Sequence, residues 1–137
     1  MTVRVATAAQ ALVGVPFRLH GRDPATGLDC VGLVAAALAT AGWRREVPSG
    51  YPLRGGDADR IAALLDAALP RGRGPAMAGD IVLAVPGPGQ FHLMVLSERG
   101  FVHADAGLRR VVERPGAPPW PTVGTWRLEG DTRPWRP

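Results

Sequence analysis

Few side chains in this chain can do covalent chemistry: one cysteine, Cys30, and three histidines, His20, His92 and His103. Cys30 stands where a polar, glycine-containing stretch, FRLHGRDPATGL, gives way to an apolar run, CVGLVAAALATA. In the opening turn of a helix the dipole and the unpaired amides favour the thiolate, which is a nucleophile. Such a thiol needs a base beside the sulfur, and the base needs a second polar group to fix its ring. His92 and His103 lie in two short apolar runs, FHLMVLS and FVHAD, separated by Glu98-Arg99-Gly100. Folded back as a hairpin, with facing residue numbers summing to about 195 or 196, these runs bring His92 beside His103. Small Gly32 is expected to leave one side of the first turn open for a substrate backbone. The competing reading of a lone cysteine is core filling, since free cysteines are among the most buried residues. A structural zinc takes four protein ligands and a catalytic one usually three, so Cys30, His92 and His103 could hold a metal only as a Cys-His-His set; the favoured reading is a site free of metal and of cofactor.

These residues need a scaffold, and 137 residues with 46% hydrophobic side chains suit one domain, 1–137. From about residue 114 it becomes rich in proline and tryptophan. Helices are expected over Val3–Val13, from Asp29 or Cys30 to Ala41 with Gly42 as its stop, and over Asp57–Leu69, with Asp57 as cap and Ile61, Leu64, Leu65 and Ala68 on the buried face. Residues 43–56 read as a connector. Strands are expected at Ile81–Val85, Phe91–Ser97, Phe101–Asp105, Leu108–Glu113 and Gly124–Leu128. Helices first and an antiparallel meander second make an α+β fold in which helices cover one face of the sheet. Trp126, Met94 and Trp43 read as packing. Trp120 and Trp135, set among prolines, suit either a partner anchor or a tail laid over the core.

A single cysteine excludes an intramolecular disulfide scaffold. No apolar run reaches the roughly 20 residues of a membrane span, and the start, MTVRVATAAQALVG, is not read as an export signal. The net charge of +4 is carried by arginine alone, with no lysine in the chain. Those arginines are scattered and accompany no nucleic-acid reading motif, so no specific nucleic-acid partner is expected.

Three blocks resemble the NlpC/P60 cell-wall peptidases, in particular the small cell-wall peptidases encoded among tail genes of phages and gene-transfer agents. GVPFRLHGRDPATGLDCVGLV, residues 14–34, resembles the segment around the family's nucleophile. AGDIVLA, residues 78–84, resembles its Pro-Gly-Asp-Leu-Val strand, and HLMVLSERGFVHA, residues 92–104, its histidine strand and the strand after it. The resemblance implies a papain-like fold, with the cysteine helix packed on an antiparallel sheet of about five strands. It implies Cys30 as nucleophile, His92 as general base and acid, and His103 as the group orienting His92.

It further implies a peptidoglycan stem peptide as substrate, commonly cut where the D-glutamate side chain joins diaminopimelate. Phage-like tail or baseplate proteins would be partners. The chain would be made in the cytoplasm, carried in a particle and active in the recipient's periplasm or wall. A tail component with little turnover and a thiol acyltransferase are the alternatives. Phe17 stands where many members have a tyrosine whose hydroxyl helps form the oxyanion site, and Val31 replaces the usual serine. His20 stands where glycine is common. Phe17, Arg18, His20 and Asp29 are therefore the expected oxyanion or substrate-pocket residues, with Arg18 or His20 a replacement donor and Asp29 mainly a helix cap.

Overall fold

The computed structural model describes residues 4–43, 58–128 and 133–137. The expected connector after Trp43 and the cap Asp57 fall largely or wholly outside these residues.

The chain opens with a short helix, α1 (Val5–Gln10), whose Val5, Ala6, Ala8 and Ala9 are buried. It stops earlier than expected, because turns run from Ala11 to Gly14 and the Gly14 amide is taken by the Val111 carbonyl. The polar stretch that follows holds a small hairpin, β1 (Arg22–Asp23) with β2 (Gly27–Leu28). Then comes α2 (Cys30–Thr40), apolar on nearly every side, as befits a helix with most of its surface covered. α3 (Ala58–Ala68) turns Ile61 and Ala62 into the core and packs Leu65 against it, while Leu64 is left exposed. Of the expected face, Ile61, Leu65 and Ala68 meet the core and Leu64 does not. Asp66 fixes the rotation: its carboxylate accepts the indole N–H of Trp126 at 2.9 Å.

A five-stranded antiparallel sheet forms the second half. It consists of β4 (Ile81–Ala84), β5 (His92–Leu96), β6 (Gly100–Asp105), β7 (Arg110–Pro115) and β8 (Thr122–Trp126). The spatial order is β7-β6-β5-β4-β8, a meander whose last strand returns to the far edge beside β4. A further pair, β3 (Met77–Ala78) with β9 (Arg133–Pro134), ties the C-terminal tail to the start of the sheet. The α+β architecture read from the sequence is the one observed.

Alternation along the strands divides the core in two. Ile81, Leu83, Leu93, Val95, Val102, Ala104, Val111 and Trp126 join the helices in one apolar cluster, while Val82, Ala84, Met94, Leu96 and Phe101 form another under Trp120 and Trp135. The proline-rich C-terminal portion is therefore a cover for the second sheet face. Trp135 is fixed there by its indole N–H, which donates to the Gly100 carbonyl at 2.9 Å.

The hairpin register differs from the expected one. Val95 pairs with Val102 and Leu96 with Phe101, because the Ser97 amide bonds the Gly100 carbonyl and Gly100 already belongs to β6. The turn is thus Glu98-Arg99 alone. His92 and His103 stay on one face of the sheet, but as diagonal neighbours rather than a directly opposed pair.

Candidate active site

Cys30 is the first residue of α2, and Asp29 before it is the N-cap. The fully buried Asp29 carboxylate accepts the Gly32 amide at 2.8 Å, the His20 amide at 2.8 Å and the Arg22 guanidinium at 3.0 Å. One carboxylate therefore holds both the start of the helix and the loop before it. Gly32 has a use other than the expected one. A Cβ there would overlap the Gly21 carbonyl oxygen, so the protein's own loop backbone fills the space expected to receive a substrate backbone.

The thiol is buried, with Cys30 2% exposed. Burial first, with the Asp29 charge adding to it, pushes its pKa up to about 12, against the opposing effect of the Leu93, Val31 and Cys30 backbone amides. The resting cysteine is consequently a neutral thiol at pH 7. The helix start alone does not make a thiolate here, because the cost of desolvating the charge exceeds what the amides return.

His92 opens β5, one residue before Leu93, whose backbone amide acts to lower the Cys30 pKa. Its Nε2 lies 2.8 Å from Nδ1 of His103, and the two rings stand edge to face at 83°. Burial first, then the neighbouring His103, push the His92 pKa down to about 4, with Asp105 opposing. Burial lowers His103 too; Asp105 opposes this and Arg114 adds to it. Both imidazoles are therefore neutral at pH 7.

A cleft of about 360 Å³ opens over these groups, lined among others by Phe17, Cys30, Gln90, His92, His103 and Trp120. Of the expected pocket residues, Phe17 is present, held by its amide on the Arg109 carbonyl at 2.9 Å. Arg18, His20 and Asp29 do not line it. Arg18 and His20 are exposed on the loop, the His20 amide is given to Asp29, and Asp29 is enclosed beneath the helix start. Arg22, rather than Arg18, pairs with Asp29.

Among the lining residues that escaped the sequence reading are Gln90, Asp105 and Trp120. Gln90 lies two residues before β5 and Asp105 ends β6, so both were open to detection by proximity to the histidines; Trp120 had no such signal. Asp80 accepts the Met77 amide at 3.0 Å and also a two-pronged bond from Arg127 at 2.7 and 2.8 Å. That pair lies apart from the cleft and braces the start of the sheet.

Solved structures share this architecture. The chain aligns with the peptidoglycan hydrolase RipB from Mycobacterium tuberculosis at 25% identity and a TM-score of 0.58, over 90% of this chain and 62% of that one. It aligns with the NlpC/p60 domain of the peptidoglycan hydrolase SagA at 21% identity and a TM-score of 0.55, over 81% and 86% of the two chains. The P60 domain of antigen MAP1204 from M. avium subspecies paratuberculosis gives 22% identity and a TM-score of 0.55, over 89% of each. The chain thus spans 62% of the length of the RipB chain. No family model and no curated protein matches it. The fold of this chain is that of the NlpC/P60 domains.

Proposed function

We propose that this protein is a cysteine peptidase that hydrolyses amide bonds in peptidoglycan stem peptides. The observation that carries the reading is the convergence on one cleft of a thiol at a helix start and a hydrogen-bonded pair of histidines. Solved domains of the same fold that are described as peptidoglycan hydrolases support the substrate class.

In this reading Cys30 Sγ attacks the scissile carbonyl as its proton passes to His92 Nδ1. The thiol and the imidazole, neutral at rest, become charged only as the tetrahedral intermediate forms. The developing oxyanion is stabilised by amides at the start of α2, with Asp29 already occupying the Gly32 amide. Gln90 brings a side-chain amide to the cleft and is the donor we assign in place of the tyrosine hydroxyl that Phe17 lacks. His92 then returns its proton to the departing amine, which leaves a thioester on Cys30. Water, deprotonated by His92, releases the acyl group and restores the thiol. His103 holds the His92 ring throughout.

The bond we assign joins the D-glutamate side chain to diaminopimelate. The setting we assign is a phage or gene-transfer-agent particle that opens the recipient wall. Both rest on the resemblance of residues 14–34, 78–84 and 92–104. The test is dye-labelled peptidoglycan of the diaminopimelate type: the intact protein releases soluble dye and Cys30→Ala does not. Equal release by both proteins would overturn the reading.

A further inference from the structure

The histidine pair contains one buried atom without a hydrogen-bond partner among the described residues, His103 Nε2. Aromatic rings surround that imidazole. Phe101 lies 5.2 Å from it at 48° and Trp120 5.8 Å at 60°, and Trp120 also meets His92 edge to face at 5.4 Å and 89°. The Arg114 guanidinium sits over the Phe101 and Trp120 rings at 5.5 and 5.7 Å.

Trp120 comes from outside the histidine strands, on the strap GAPPWP that joins β7 to β8. The strap is pinned at both ends: the Gly116 amide bonds the Arg99 carbonyl, and the Val85 amide bonds the Pro121 carbonyl, each at 2.9 Å. Pro118, Pro119 and Pro121 fix φ along it, so little freedom is lost in holding the indole in place.

Two proton arrangements satisfy the His92–His103 bond. In one, His103 Nδ1–H donates to His92 Nε2; His103 Nε2 is then a buried lone pair with no donor, on an imidazole packed against the Phe101 and Trp120 rings, and His92 carries its proton on Nδ1. In the other, His92 Nε2–H donates to His103 Nδ1; His103 Nε2 then bears the hydrogen, and His92 Nδ1 is bare. Aromatic faces are electron-rich, so they repel a lone pair and attract an N–H. We propose that Trp120, together with Phe101, is a positioning residue that selects the second arrangement and so keeps His92 Nδ1 ready to accept a proton. Arg114 disfavours a second proton on His103 and Asp105 favours one, so these two charges bear on the same ring from opposite directions. The consequence for catalysis rests on the reading of His92 as the base, whereas the tautomer itself does not.

Imidazole tautomers are read from long-range proton–nitrogen NMR correlations on the full, isotopically labelled chain at neutral pH. The expected spectrum has His92 and His103 both protonated on Nε2. Protonation of His103 on Nδ1 would overturn the proposal whatever the protein does to peptidoglycan. Trp120→Leu removes the ring face and is expected to populate the other tautomer and to lower kcat roughly fivefold with KM little changed. Trp120→Phe, which restores a ring, is expected to keep the wild-type tautomer. A folded Trp120→Leu protein with unchanged tautomers would contradict the assignment equally.

Discussion

The Arg22 guanidinium lies 3.0 Å from Oδ1 of Asp29, on the same carboxylate oxygen that accepts the Gly32 amide at 2.8 Å. The loop before Cys30 and the helix that begins at Cys30 thus share one buried acid. Asp29→Ala removes a helix cap and takes the partner from a half-buried cation. It should lower the unfolding free energy by about 2–3 kcal/mol. Arg22→Ala, which leaves the cap in place, should cost less. Urea denaturation of the two variants measures the order; an Asp29→Ala protein as stable as the wild type would contradict it.

Gly32→Ala probes the adjacent contact. The added methyl meets the Gly21 carbonyl oxygen, a backbone group that cannot rotate away, so the loop must shift off the helix. A loss of about 1–3 kcal/mol is expected, with reduced turnover because Cys30 and the loop are displaced together. Crystals of the variant showing an unmoved loop would refute this.

The resting protonation states set the pH dependence. Burial holds the His92 pKa near 4, so the free base persists well below the ordinary histidine value. The acid limb of kcat/KM should fall near pH 4 instead of about 6.5. With the thiol raised to about 12, thiolate absorbance in the ultraviolet should be absent at neutral pH. A thiolate signal at pH 7 would show that the pair rests as an ion pair.

The same depression links acid to stability. The unfolded chain binds the His92 proton at a higher pH than the folded one does. The contribution of His92 is therefore complete above about pH 6.5 and is lost as the pH falls toward about 4. His92→Gln should flatten that decline in denaturation curves taken across the interval. An unaltered slope would place the acid sensitivity elsewhere.

Much of this site was legible in the sequence because its determinants are local. A cysteine following an aspartate at the head of an apolar run, and two histidines in strands joined by a tight turn, each follow from a few neighbouring residues. The register was harder: whether Gly100 belongs to the turn or to β6 shifts the facing residues, and the Ser97 to Gly100 bond decides it. Gly32 was misread because its close neighbour, Gly21, comes from a loop whose path is set by Asp29 and not by its own sequence. Trp120 was beyond reach for a similar reason. Its place beside the histidines depends on the return of β8 to β4 across the sheet, a long-range pairing with no mark in the proline-rich segment itself.

The most direct test of the central claim is mass spectrometry of defined stem-peptide fragments, from diaminopimelate and from lysine walls, after incubation with the intact protein or with folded Cys30→Ala. Cleavage of a stem-peptide amide by the intact protein alone is the predicted result, and the product masses identify the bond. Intact fragments in every incubation, with the wild-type fold verified, would contradict the peptidase reading.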